Sequence, residues 1–380
     1  MSPSAELRAA LVDGLAEDGT LTDPTWRRAA EAVPREVFVD SYFEPVPESS
    51  PTVYRPVRRS EPGWLEGVYD DRTLITQLDG AIRPGDVDGE PVGGSPSSSS
   101  TLPSLVLGMW QQLGAADGHR VLEVGTGTGY STALGAHRLG DANLTSIEYD
   151  PMVAAAAAVA LKEAGYAPRL ITGDGLRGDP HGGGYDRLIA TCSVRGIPMP
   201  WLHQVKPGGR ILVTLSGWSY ASGLALLAVT GPGSATGRFL SGYTSFMIAR
   251  SHDRPPRPAL ALLPGQERPS RIDPAIIGTW TGSWVAQLAA PSAERMGAGG
   301  AQVLVDVATG SHARTMPDPG GGWTVSQRGP LRLWDQVERA VEEWQEAGAP
   351  HQEGFGITVS GAGQRVWIGT ENGPGWDLPI

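Results

Sequence analysis

Apolar positions in the first third of this chain keep helical time and then lose it. Leu7, Leu11 and Leu15 share one face, and after a break at Asp23-Pro24 the face resumes with Trp26, Ala29, Ala30 and Val33. That spacing predicts helices over most of 1–45. Residues 44–68, rich in Pro, Ser and Glu, read as irregular, and a Gly/Ser-rich segment follows at 93–100. A helix is expected from Pro103 to about Leu113.

From residue 119 the rhythm changes. Short apolar runs at 120–124, 143–147, 168–172, 186–191 and 209–215 alternate with helical stretches at 130–139 and 151–164. Strand and helix in alternation predict a doubly wound, mainly parallel α/β sheet, with 241–249 as a closing antiparallel strand. Beyond the proline-rich break at 252–264, strands are expected at 301–307, 354–360 and 365–369. Leu331, Trp334, Val337, Val341 and Trp344 mark an amphipathic helix whose tryptophans belong to a core. The expected organisation is a helical and substrate-loop region at 1–118, a Rossmann-like core at 119–250 and an accessory α+β domain at 265–380.

The first strand-to-helix join, VLEVGTGTGY, carries candidate chemistry. Val121 to Val124 read as a buried strand, and Gly125, Gly127 and Gly129 follow at every second position. Such a join is expected to leave backbone N–H groups facing a crevice, and glycine lets the chain close on a ligand. A dinucleotide fingerprint would place its last glycine one residue later. Here the pattern is E-x-G-x-G-x-G, with Glu123 ahead of it, which resembles the motif of class I S-adenosylmethionine-dependent methyltransferases. The second strand ends in Glu148, where an acid suits two ribose hydroxyls.

Composition narrows the partners. Net charge is −11, which disfavours nucleic acid. No apolar run is long enough for a membrane span, and the N-terminus does not resemble a signal peptide, so the cytoplasm is expected. Cys192 is the single cysteine, which excludes an intramolecular disulfide and an all-cysteine metal site; no metal is expected. An arginine-dense run from Arg250 to Arg271, including Arg254, Arg257 and Arg268, reads as a proline-stiffened linker or as a docking strip for an acidic peptide.

Further motifs sharpen the resemblance. Ala32-Val33-Pro34-Arg35-Glu36-Val37-Phe38-Val39, Tyr69-x-Asp71, Thr101 to Pro103, GTGTGY, Gly173-Asp174-Gly175 and the stretch Gln204 to Val213 occur in order. Together they are similar to protein L-isoaspartyl O-methyltransferases over about residues 5–220. The resemblance implies S-adenosylmethionine as cofactor and S-adenosylhomocysteine as its product. The implied cofactor contacts are Glu123, Gly125, Thr126, Gly127, Gly129, Glu148, Tyr149, Asp174, Gly175 and Thr191. It places Thr101 beside the substrate carboxylate, with Ser99 and Ser100 as possible substitutes, although Thr101 also stands where a helix cap would. Tyr69, Asp71, Ser193 and Arg195 are implied substrate contacts.

Three departures stand out. Thr191-Cys192-Ser193-Val194-Arg195-Gly196 replaces an Ala-Ala-Pro-type turn, the segment before Pro103 is serine-rich, and 265–380 has no counterpart in most repair enzymes. These resemble the relatives that esterify an aspartate in a ribosomally made precursor peptide, leading to succinimide or isoaspartate. Repair of isoaspartate in aged proteins and a non-catalytic cofactor-binding partner are the alternatives.

Overall fold

The computed structural model describes residues 2–256, 263–298 and 301–379. It contains two compact units, Met1–Thr191 with His203–Leu212, and Cys192–Leu202 with Val213–Ile380.

The first unit opens with helices Pro3–Glu17 and Pro24–Ala32, each started by a capping side chain, Ser2 or Asp23, and a proline in its first turn. A five-stranded antiparallel sheet follows, in the order Val92–Gly93, Val53–Arg58, Ser41–Pro45, Leu74–Leu78, Pro96–Ser100. This overturns the irregular reading of 44–68. Tyr42 packs into one buried cluster with Val57 and Trp64, while Phe43 packs into another with Tyr54 and Leu78. Adjacent residues facing opposite sides define a strand; the intervening Pro, Ser and Glu hid that period in the composition.

The parallel part places Val121–Val124 between Leu144–Glu148 and Tyr185–Val194, with Arg169–Thr172 beyond Leu144–Glu148. All four residues of the central strand are buried, as expected of a sheet covered on both faces. Helix Tyr130–Leu139 packs closely because Gly135 has no side chain: a Cβ there would stand 2.8 Å from the Trp110 ring. Trp110 in turn stacks on Trp26, 5.1 Å between centroids, tying the N-terminal helices to this layer.

In the second unit, strands Ser222–Gly231, Ser234–Phe239, Phe355–Ser360, Gly363–Ile368 and Gly375–Asp377 lie side by side and antiparallel. The expected closing strand at 241–249 is absent: only a parallel bridge between Ser193 and Ile248 occurs there. The antiparallel continuation is instead 222–239, where Leu224, Ala225, Leu227 and Val229 are all buried. That run lacks the polar–apolar alternation by which a half-buried strand is recognised.

A second antiparallel sheet runs in the order Gln266–Pro269, Trp323–Arg328, His312–Pro317, Ala301–Asp306, Ala293–Ala298, accompanied by helices Trp280–Ala289 and Leu333–Glu346. Trp334 and Trp344 are buried, as the helical pattern predicts. Much of the arginine-dense run is ion-paired within the unit: Arg254 with Glu294, Arg268 with Asp335 and Glu338, Arg271 with Glu338 and Glu342. Arg257 lies outside the described residues.

Candidate active site

The glycine loop is built from positive backbone angles. Gly125, Gly127 and Gly129 have φ of 101°, 55° and 93°, conformations that a Cβ makes costly. A Cβ on Gly125 would stand 2.6 Å from Thr191 Oγ1, and one on Gly127 would stand 3.3 Å from the Ser99 carbonyl oxygen. A Cβ on Gly129 would stand 3.4 Å from the ring of Phe38, which follows the Pro34-Arg35-Glu36 motif.

The expectation that these amides face an open crevice is corrected by their partners. The N–H groups of Gly125 and Thr126 donate to the Ile147 carbonyl at 2.8 and 3.2 Å, and that of Gly129 donates to Thr126. Gly127 N–H donates to Glu148 Oε2 at 2.8 Å. A phosphate-binding loop needs such donors free. Here they are satisfied internally, which suits a ligand without phosphate and holds the Glu148 carboxylate at the end of its strand.

Glu123, expected to contact the cofactor, is 0 % exposed. Its carboxylate accepts from Ser131 Oγ at 2.6 Å, Thr132 Oγ1 at 2.5 Å and Ser146 Oγ at 2.7 Å. It therefore clamps the first turn of the helix after the loop to the neighbouring strand. Burial pushes its pKa up against the three donated hydrogen bonds. Thr126 likewise points into the sheet, its hydroxyl 2.7 Å from Ser146 Oγ.

The other predicted cofactor residues border the strand ends. Thr191 Oγ1 donates to the carbonyl oxygens of Val124 and Gly125. Asp174 accepts from Leu176 N–H at 3.0 Å, and Gly175 packs so tightly that a Cβ would meet Val124 Cγ1 at 2.4 Å. Tyr149 is half exposed.

On the opposite side, Ser99 and Ser100 end a strand paired with Ile75 and Leu74. The hydroxyls of Ser97 and Ser98 are engaged with Gln77, Gly80 and Thr76. Among the described residues, the hydroxyls of Ser99, Ser100 and Thr101 have no hydrogen-bond partner. Ser100 is only 2 % exposed, so its unpaired Oγ is costly unless something completes it. Thr101 does not cap the helix Pro103–Leu113; Asp71 Oδ1 instead accepts from Ser104 N–H at 2.8 Å.

Arg35 organises this region, a role that the Pro34-Arg35-Glu36 motif does not by itself reveal. Fully buried, its guanidinium donates to the carbonyls of Val68 at 2.7 Å, Asp70 at 3.0 Å, Arg72 at 3.0 Å, Ser100 at 3.3 Å and Thr101 at 3.1 Å. It also lies 5.6 Å from the Tyr130 ring centroid, one residue beyond the glycine loop. Burial lowers its pKa to about 10, partly offset by Tyr130 and Asp71, so it stays cationic at neutral pH. A buried arginine in a Pro-Arg-Glu turn was the available signal.

The four residues expected to contact substrate, Tyr69, Asp71, Ser193 and Arg195, each have partners within the protein. Tyr69 is buried and donates to Glu36, and Asp71 serves the helix start, so both shape the loop. Ser193 is fully buried and donates to the Phe246 carbonyl at 2.9 Å. Arg195 lies over the Trp218 ring and donates to the Pro291 carbonyl. Ser193 and Arg195 both belong to the second unit.

Residues 90–227 match the family model for protein-L-isoaspartate(D-aspartate) O-methyltransferase. The chain is 30% identical over 243 residues to a protein-L-isoaspartate O-methyltransferase of Hyperthermus butylicus, covering 61% of this chain and 84% of that relative. It is 40% identical over 162 residues to one from Anaeromyxobacter dehalogenans, covering 40% of this chain and 77% of the relative. A solved protein-L-isoaspartate O-methyltransferase superposes with a TM-score of 0.57 at 19% identity, covering 96% of this chain and 100% of the other, a likeness of fold. Relatedness over most of a relative's length and a shared class I fold lead to one conclusion: the chain belongs to the protein-L-isoaspartate O-methyltransferase family, carboxyl methyltransferases that use S-adenosylmethionine.

Proposed function

We propose that this protein methylates an aspartyl-type carboxylate of a peptide, using the unspent hydroxyls of Ser99, Ser100 and Thr101 to orient the acceptor. The observation that carries this reading is their freedom: three consecutive hydroxyls lack partners while the preceding serines are engaged. The Ser99 main chain lies against Gly127 of the loop.

The glycine loop suits the cofactor: its backbone comes as close as only glycine permits, and its amides make no demand for phosphate. Glu148 would take the ribose hydroxyls and Asp174 the adenine amino group, with Gly125, Gly127, Gly175 and Thr191 supplying walls. When bound, S-adenosylmethionine supplies a methyl carbon on positively charged sulfur, so that a carboxylate oxygen forms the new C–O bond as the C–S electron pair returns to sulfur. An aspartyl carboxylate, with a reference pKa of about 3.9, is already ionised at neutral pH and needs no general base. Thr101 or Ser100 donates to one carboxylate oxygen and leaves the other to attack. Holding that geometry can contribute about 7–11 kcal/mol. The ester then has a better leaving group, and the following peptide nitrogen can close a succinimide with loss of methanol.

Family membership favours an isoaspartyl carboxylate as acceptor. A second reading, an aspartate in a ribosomally made precursor peptide, is favoured by the serine-rich acceptor segment and the Thr191–Gly196 turn. The C-terminal region does not separate the two readings, because a solved protein bearing the family's name aligns with 96% of this chain. The test uses the full chain with methyl-labelled donor and a short peptide in isoaspartyl and aspartyl forms. Transfer to the isolated isoaspartyl peptide supports the first reading. Transfer only to an intact, ring-bearing precursor supports the second, and transfer to neither counts against both.

A further inference from the structure

Gln77 ties the antiparallel sheet of the first unit to its parallel strands. It lies on the strand Leu74–Leu78, is 3 % exposed, and its Nε2 donates to Asp150 Oδ2 at 3.0 Å across 73 positions of sequence. Its Oε1 accepts from Ser97 Oγ at 2.9 Å, and Ser97 Oγ accepts in turn from Gly80 N–H at 2.8 Å. A carboxylate only accepts, so the amide nitrogen must face Asp150 and the amide oxygen is left for the hydroxyl. The bridge therefore requires one donor and one acceptor on the same side chain.

The far end of the bridge reaches the glycine loop. Asp150 is 5 % exposed, and its Oδ1 accepts from the N–H groups of Met152 and Val153 at 2.8 and 3.2 Å, capping helix Pro151–Glu163, while Oδ2 takes Gln77. Asp150 N–H donates to Glu148 Oε1 at 3.0 Å, and Gly127 N–H donates to Glu148 Oε2 at 2.8 Å. Two hydrogen bonds thus separate Gln77 from the acid at the strand end, and one separates it from the strand that carries Ser99 and Ser100.

The near end is where the strand pair is least fixed by its ladder. Pairing between Leu74–Leu78 and Pro96–Ser100 shifts register on both sides of Gln77. Such a shift interrupts the backbone ladder and re-aims side chains, so side-chain bonds share the work of holding the pair there. Arg35 fixes the opposite end of the segment through the carbonyls of Ser100 and Thr101.

We propose that Gln77 is a positioning residue that couples occupancy of the donor site to the order of the acceptor strand pair. With Glu148 engaged, Asp150, Gln77 and Ser97 are ordered in turn, and ordering one end lowers the cost of ordering the other. The inference rests on the reading of Glu148 as the acid that takes the ribose hydroxyls.

The test is hydrogen exchange, read by mass spectrometry on the full-length protein with and without S-adenosylhomocysteine, and it needs no methyl transfer. In the parent, exchange over Leu74–Leu78 and 96–98 should slow about fivefold or more on binding, the lower end of ordinary coupling between sites. Gln77→Leu removes the bridge and Gln77→Glu sets a second carboxylate against Asp150. Each should lose that protection, while the amides of 125–130 and 148–153 stay protected. Gln77→Glu combined with Asp150→Asn exchanges acid and amide, keeps a capping oxygen, and should restore the protection. A merely structural role does not predict that rescue, and the double variant serves even if the single ones fold poorly. Binding with no slowing at the two strands, protection unchanged in both single variants, or no rescue by the exchange would overturn the proposal. The expected protection without methylation of any acidic peptide would count against the methylation reading alone, and no binding of S-adenosylhomocysteine would overturn both.

Discussion

The glycine loop and the hydroxyl segment facing it are held in opposite ways. In the loop, local glycines set the backbone, the amides close on Ile147 and Glu148, and the buried Glu123 ties helix to strand through three hydroxyls. In the segment, hydroxyls remain unspent and the backbone is held from afar by Arg35, 65 and 66 positions away from Ser100 and Thr101. A cofactor of fixed shape suits a surface whose polar groups are already satisfied. An acceptor that must be aimed needs side chains left unsatisfied, at the cost of a remote scaffold.

The comparison breaks most visibly if the two sides fail together. Gly125→Val should have the largest effect: the side chain would collide with Thr191 Oγ1 at a φ of 101°. Calorimetry should show donor affinity reduced by about 100-fold or more, given a local strain of about 1–3 kcal/mol added to the clash. Near-normal affinity would mean that the loop does not shape the donor site.

Arg35→Ala should act on the other side. Five carbonyls lose their donor, so we expect a lower Tm and a kcat reduced by about 10–100-fold, each lost bond to a charged group contributing about 1.5–3 kcal/mol before relaxation. Donor affinity should change little in protein that remains folded. Arg35→Lys should recover part of kcat at neutral pH and lose it as the pH is raised, earlier than the parent does, because burial lowers an ammonium pKa as well. Tyr69, Asp71, Arg72 and Tyr130 are the titratable or charged neighbours that bear on this position.

Smaller changes sharpen the contrast. Thr101→Ala and Ser100→Ala, made singly, should cost about tenfold in kcat/KM for whichever hydroxyl meets the acceptor, with stability retained. The smallest effect concerns Glu123. Its folded pKa is raised, so it favours the folded state most below the ordinary glutamate range, and that contribution is lost as pH rises through the raised value. Glu123→Gln should flatten this part of the stability–pH curve, as measured by denaturant unfolding across pH; an unchanged slope would show that Glu123 is not its source.

Legibility in the sequence followed the same division. The parallel strands and the glycine join were readable because buried strands, positive-φ glycines and a terminal acid leave local signatures. The Ser41–Pro45 and Val53–Arg58 pair was not, since its alternation is interrupted by proline and charge. Nor was the Ser222–Gly231 strand, buried on both faces over 222–225 and carrying an apolar Ala228 on the exposed side of its second half, so that 224–229 is apolar without a break. Gly125 and Gly127 stand at positive φ and Glu148 at its strand end, as their spacing predicts, whereas Arg35 acts through carbonyls distant in sequence. Tyr69 and Asp71 stand out in the motif, but their hydrogen bonds to Glu36 and to the Ser104 N–H depend on contacts that no local pattern encodes.

The most direct test incubates the purified chain with methyl-labelled S-adenosylmethionine and an isoaspartyl peptide, then exposes the product to mild alkali. The account predicts label on the peptide that is released as methanol, with none transferred when the acceptor carboxyl is replaced by an amide. A base-stable label, or no transfer to any acidic peptide by protein that binds the donor, would contradict it.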